Sequence, residues 1–190
     1  MGSSGAGYAG IAAQGLWTPA DNAQVAWTFD PGVMAAAGTL APTAGRLEFT
    51  TLKLAAPAPV TNIVMYVTAA GVTLTADRNF AALFGPTGTL IGQTADQAAA
   101  WVTTTRKTMA LVGGPYSLPA GLYRVGFWWA GSTAPTFLRS SAFGSTQLSN
   151  VGLTSPDLRM GFADTGLTTT APATMGAQTT DSTAWWAALS

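Results

Sequence analysis

The chain has no cysteine and no histidine. Without thiols there is no disulfide and no thiolate metal site, so composition leaves the redox compartment undetermined. Without imidazole, Ser-His-Asp and Cys-His catalysis are closed, and so are the usual zinc ligands. Charge is scarce: eight acids balance eight bases, 8% of 190 residues, against about 25% in an ordinary soluble domain. A surface so poor in charge has little long-range steering and little colloidal protection, which suits a subunit packed into an assembly. Phosphate binding needs clustered Lys and Arg. Arg106-Lys107 is the sole adjacent basic pair, so nucleic acid is not expected as a partner. No apolar run approaches the roughly 20 residues that span a bilayer, so no membrane insertion is expected. Met1 to Gly15 lacks a basic start and a continuous apolar stretch, so it does not read as a signal peptide. Amphipathic helices, heptads and fixed-period repeats are lacking too.

What is present is strand-forming. The chain is 48% hydrophobic, with seven Trp, four Tyr and eight Phe. The stretch from Phe80 to Trp129 is the expected centre. Phe80 to Phe84 and Thr89 to Gln93 read as a hairpin about Gly85-Pro86-Thr87-Gly88. Leu118-Pro119-Ala120-Gly121 reads as a tight corner feeding the strongest strand, Leu122 to Ala130. There Tyr123, Val125, Phe127 and Trp129 alternate with Arg124 and Trp128, so the first set is expected in the core and the second on the opposite face. Around this centre, Val25, Trp27 and Phe29 suggest a first core strand, and Asp30 the cap of a helical turn over Val33 to Ala37. Gly45 to Ala55 alternates as a strand with one polar face. Val60 to Thr68 reads as a strand with Ile63, Met65 and Val67 inward. Ala69 to Asn79 reads as a loop, Gln97 to Thr103 as a short strand carrying Trp101, and Thr108 to Leu111 as pairing into the next strand. Short strands are expected at Thr136 to Arg139 and Leu158 to Phe162. The polar stretch Ser140 to Thr183 is expected to wrap a scaffold or cover an interface. Trp185 to Leu189 reads as a closing strand. The expected architecture is all-β: an antiparallel, jelly-roll-like β-sandwich over 16–190, preceded by an arm over 1–15 that either stays flexible or docks on a neighbouring subunit.

The acids are Asp21, Asp30, Glu48, Asp77, Asp96, Asp157, Asp164 and Asp181. Most stand in turns, where Asp is favoured for local backbone hydrogen bonds. Glycoside hydrolysis needs two carboxylates at a set separation; only Glu48 lies clearly within a strand, and it has no assignable partner. Asp77-Arg78-Asn79 and Asp21-Asn22 look like fragments of calcium loops, but neither continues into the spaced acids of such a loop. Gly113-Gly114-Pro115 lacks the Lys-Ser/Thr of a phosphate loop. No catalytic residue, metal ligand or cofactor is therefore assigned. The aromatics are the better candidates, since sugar rings stack on exposed aromatic faces. Trp101, Tyr116, Trp128 and Trp186 are the candidate glycan or subunit contacts, with burial in the core as the alternative for each.

Several segments together carry a resemblance: Trp17-Thr18-Pro19-Ala20-Asp21-Asn22, Trp27-Thr28-Phe29-Asp30-Pro31, Asn79-Phe80-Ala81, Gly88 to Gln97 (GTLIGQTADQ), Trp101, Lys107-Thr108-Met109-Ala110-Leu111, Leu118-Pro119-Ala120-Gly121-Leu122-Tyr123, and the ending Trp185 to Ser190. This pattern resembles a β-domain of virion proteins, often minor tail proteins, in tailed phages of actinobacteria such as Streptomyces. It covers roughly Trp17 to Ser190. The resemblance implies a non-enzymatic structural protein, made in the bacterial cytoplasm and then carried outside on the particle. The expected partners are copies of itself, as a homotrimer, other virion proteins, and host-surface glycan. The expected role is surface-displayed attachment to that glycan. The alternatives are capsid or tail decoration, or a carbohydrate-binding module. Tail proteins of that kind carry the domain behind a long stalk; here it follows only a short Gly/Ala arm, which favours a small accessory subunit.

Overall fold

A computed structural model describes residues 17–36, 40–140, 150–181 and 183–190. The expected N-terminal arm lies outside the described residues. In chain order the strands are β1 (Ala26–Trp27), β2 (Ala35–Ala36), β3 (Glu48–Leu54), β4 (Ala58–Val60), β5 (Asn62–Ala69) and β6 (Val72–Leu74). They continue with β7 (Phe80–Phe84), β8 (Leu90–Gln93), β9 (Thr105–Ala110), β10 (Tyr116–Leu118), β11 (Gly121–Trp128) and β12 (Gly131–Thr133). The last four are β13 (Thr136–Phe137), β14 (Arg139–Ser140), β15 (Met160–Phe162) and β16 (Ala188–Leu189). One helical turn, α1 (Pro31–Met34), precedes β2. Asp30 caps it from just outside, its Oδ1 accepting from the Gly32 amide at 2.8 Å.

The strand β11 lies at the middle of a five-stranded sheet ordered β15-β3-β11-β7-β8. Its antiparallel register sets Val125 between Thr50 of β3 and Leu83 of β7. A second five-stranded sheet is built on β5, which holds β16 and then β13 along one edge and β9 along the other; β1 extends it beyond β16. Tyr123, Val125 and Phe127 from β11 and Ile63, Met65 and Val67 from β5 share one core cluster. The alternation read from both strands is therefore the alternation observed. Three two-stranded ribbons, β4-β10, β6-β12 and β2-β14, complete the fold. The architecture is all-β and antiparallel in its strand pairs, and among the described residues no sheet closes into a barrel or reduces to a plain two-layer sandwich.

The extra layer explains the difference. The outer face of the β11 sheet carries Leu47, Phe49, Phe80, Ala82, Phe84 and Trp128, and these pack with Leu158, Ala163, Ala171 and Met175 from the C-terminal segment. That segment, expected to wrap a scaffold, does so by hydrogen bonding at both sheet edges. Leu90 donates to the Ala173 carbonyl at 2.9 Å beyond β8. Phe162 and Thr179 exchange backbone bonds of 2.9 and 2.8 Å beyond β15. The Gln93 amide adds a bond to the Thr169 carbonyl and accepts one from Ala171 N. Gly126 leaves room for this layer: a Cβ there would lie 2.8 Å from Leu47 Cδ1 and 3.0 Å from Phe84 Cε2.

Several local expectations are corrected. Gln97 to Thr103 is not a strand. Its backbone bonds close locally, with Ala100 N and Trp101 N both donating to the Gln97 carbonyl, and this turn lowers Trp101 into the core. The loop expected over Ala69 to Asn79 contains β6, whose partner β12 lies far along the chain, where local pattern gives no signal. The strand β9 starts at Thr105 and pairs backward with β5, not with the strand that follows. The first strand is only two residues long: Ala26 and Val25 meet the main core, while Trp27 and Phe29 pack on the outer face of the β5 sheet. The polar face expected for β3 is not exposed, since Glu48 and Thr50 are buried.

Trp128 is fully buried, stacks 5.4 Å from Phe80, and donates from Nε1 to the Thr168 carbonyl at 2.8 Å. Trp128→Ala removes the ring that joins the sheet to its covering segment. It is expected to lower stability by about 3–5 kcal/mol, read as a lower urea midpoint. A loss below about 0.5 kcal/mol, the size of an ordinary surface change, would show that the ring is not enclosed.

Candidate functional site

The four aromatic candidates fall in different places. Trp101 is fully buried, edge-on to Phe137 at 5.1 Å. Trp128 lies under the C-terminal segment. Trp186 is 7% exposed and donates to the Phe29 carbonyl at 3.0 Å. Tyr116 is half-buried, and its hydroxyl already donates to the Val112 carbonyl at 2.7 Å. Its ring lies against Gly92 and Gly113, where a Cβ would approach it to 2.9 and 3.0 Å. No two of these rings line a common surface. Three are enclosed, and an enclosed ring has no face for a sugar or a neighbouring subunit. Amphipathic alternation located Trp128 on the outer face correctly; the missing information was that the chain itself covers that face.

The exposed aromatic that does stand on a sheet is Tyr66, 42% exposed. It projects from β5 opposite Arg106 of β9, on the side away from the main core. That face also carries a smaller cluster of Val64, Trp186 and Ala188, with Trp27, Phe29 and Leu138 half-buried around it. The inward assignment of Ile63, Met65 and Val67 already implied that Tyr66 points outward, so this residue was available from the sequence by alternation.

The most concentrated polar chemistry is at the start of β3. The register of β15 on β3 sets Phe162 opposite Glu48. Arg46, two residues earlier, lies with its guanidinium 4.1 Å from the Phe162 ring centre. Its Nε donates to Glu48 Oε1 at 2.8 Å and its Nη2 to Asp181 Oδ2 at 2.6 Å. The Thr43 amide adds a third bond to Glu48 Oε1 at 3.2 Å, while Glu48 Oε2 is buried without a partner. Burial raises the Glu48 pKa above its ordinary value, only partly opposed by the bond and charge of Arg46. Arg46 thus ties two carboxylates 133 residues apart in sequence, 181 less 48, and fastens the end of the wrapping segment to the first strand of the sheet. No local pattern announces a pair separated this way.

The remaining acids serve local structure. Asp21 accepts from the amide and hydroxyl of Thr18, each at 2.7 Å, bonds that lower its pKa. Asp96 accepts from the Asn79 amide and Asp164 from the Gly176 amide, both at 3.0 Å. Asp77 has a left-handed backbone, with φ of 58°, as befits a turn. A shallow groove of about 440 Å³ runs between β4 and β10, lined by Pro57, Ala58, Pro59, Ser117, Leu118 and Pro119, none of which is titratable or aromatic. Buried bases are held mainly by neutral groups. Arg124 donates to the carbonyls of Gly85, Pro86 and Pro156, with Asp157 at 4.0 Å, and Lys107 donates to Thr103 Oγ1 at 2.6 Å. Burial lowers the pKa of both.

The fold and these sites define an all-β protein whose buried charges join segments to one another. No protein-family model matches the chain, and neither a curated protein nor a solved structure shows significant similarity to it.

The Glu48 shift fixes a pH dependence. A carboxyl whose folded pKa is raised binds its proton more tightly folded than unfolded, so its contribution to stability is complete below the unfolded pKa of 4.5 and is lost as pH rises through the raised folded value. The stability difference between wild type and Glu48→Gln is therefore expected to fall against wild type as pH increases from 4.5. Urea unfolding of both proteins across that interval measures it. A difference that stays flat would show that Glu48 is not held in a desolvated site.

Proposed function

We propose that this chain is a non-enzymatic structural protein of a tailed-phage virion, an accessory subunit that decorates and stabilises the capsid or tail as a homotrimer. The observation that carries the proposal is the aromatic outer face of the β5 sheet, where Tyr66 stands exposed and Trp27, Phe29 and Leu138 are only half-buried. A partly open apolar face with Arg106 beside Tyr66 fits a surface that meets another protein. The balanced, sparse charge of the chain supports the same reading, since it sets little repulsion between copies. Two sheets sharing one core support a jelly-roll-like sandwich as the basis of the fold, and the resemblance of the sequence motifs to phage virion β-domains is what suggests the particle. The carboxylates engaged by Arg46 and by turn amides support a structural role over a catalytic one.

Attachment to host glycan is the weaker form of the proposal, because Trp101, Trp128 and Trp186 have become packing groups and Tyr116 remains as its half-exposed ring.

Sedimentation equilibrium decides the assembly. Wild type is expected to associate to a trimer, and Tyr66→Glu, which places a charge on the contact face, is expected to remain monomeric with an unchanged circular dichroism spectrum. A wild type that is monomeric at every concentration would sink the trimer. Labelling of particles with an antibody to the chain, viewed by electron microscopy, tests the virion location. Retention on host cell walls that Tyr116→Ala abolishes would favour attachment instead.

A further inference from the structure

Arg139 is 9% exposed, and no carboxylate of this chain neutralises it. All eight acids of the sequence fall among the described residues. The ion pairs formed there belong to Arg46 and Arg124. Among the described residues the Arg139 guanidinium makes one hydrogen bond, from Nη1 to the Ser140 carbonyl at 3.3 Å. Its Nε is buried with no acceptor. The contrast with Arg124 is direct, since three carbonyls surround that side chain.

The neighbours share the same deficit. An antiparallel bridge sets Arg139 opposite Trp185, and the buried Trp185 Nε1 has no partner. Ser140 follows Arg139 in β14, so its side chain points to the opposite face, and its buried unpartnered Oγ lies apart from this pair. On the face that Arg139 and Trp185 share, both groups, the Nε of arginine and the indole N–H, can only donate. A buried donor left unsatisfied is costly, and a buried charge without a counter-charge more so. What this place lacks is an anionic acceptor.

We propose that the Nε–Nη2 edge of Arg139 is a binding site for a carboxylate that this chain does not itself supply. The planar fork of two parallel N–H groups matches the two oxygens of a carboxylate. Trp185 Nε1, facing the same side across the bridge, is the supplementary donor. The site lies at β14 and the chain approaching β16, and it stands independently of the decoration reading: a chain with another biological role would still need an acceptor here.

Sodium acetate is the probe, added to the full-length protein at ionic strength held constant with chloride. The Arg139 Nε–H resonance is expected to move with acetate and to stay fixed in chloride. At about ten times the acetate Kd the melting temperature is expected to rise by about 3–6 °C, by mass action on the folded state. Arg139→Gln is expected to abolish the rise. Should that variant fail to fold, the resonance of the wild-type Arg139 Nε–H decides alone. An unmoved resonance overturns the proposal, as does an equal melting rise in a folded Arg139→Gln. Sedimentation in the same buffers separates the sources. Self-association in chloride that acetate reverses identifies an acidic group of a second copy. An acetate shift in a protein that stays monomeric identifies a carboxylate supplied from elsewhere.

Discussion

The β11 sheet buries both of its faces, and the rest of the chain is arranged to make that possible. One face meets the β5 sheet through Tyr123, Val125 and Phe127; the other carries Phe49, Phe84 and Trp128. An antiparallel sheet often leaves one face to water. Here the outer face is too apolar for that, so the segment from Leu158 to Met175 lies over it. The same stretch of chain, continued to Thr179, pairs with β8 through Ala173 and with its own edge strand β15 through Thr179. Covering the face and satisfying the edges are thus one structural act, and it protects strands that would otherwise template pairing with another chain.

Charge is placed to hold this cover. Arg46 joins Glu48 on β3 to Asp181 at the end of the segment, and Arg124 reaches from β11 to the Pro156 carbonyl near its beginning. Each guanidinium therefore bridges the sheet to the layer above it. A buried ion pair offers little net stability by itself, because desolvation offsets the attraction. Its effect is positional: a displaced segment would take the Asp181 carboxylate from Arg46 and the Pro156 carbonyl from Arg124. Arg139 departs from this scheme, since its compensation is not in the chain. That deficit is what the proposed carboxylate site rests on.

The surface left after this packing is neutral and locally aromatic. Tyr66, Trp27, Phe29 and Leu138 stand on the one large sheet face that the described chain covers incompletely. The chain runs from that sheet straight to the Arg139 site, since β13 pairs with β5 and β14, in its own ribbon with β2, follows it.

The local sequence determined the strands whose alternation is strong. Residues Tyr123 to Trp129 and Ile63 to Val67 declared their faces because a pleated strand has a period of two and both strands are long enough to show it. The hairpin about Gly85 to Gly88 and the cap at Asp30 were equally legible, since turn chemistry acts over a few residues. Scarcity of charge and absence of histidine set the range of chemistry at once. Only the tertiary structure decided the fate of the tryptophans. Trp128 lies on the predicted face but becomes core because residues some forty positions later cover it, and Trp101 is lowered inward by a turn, not carried on a strand. The short strand β6 and the Arg46–Asp181 contact depend on partners equally remote in sequence. Periodicity reports which side a residue faces; what fills the space on that side is settled by long-range packing.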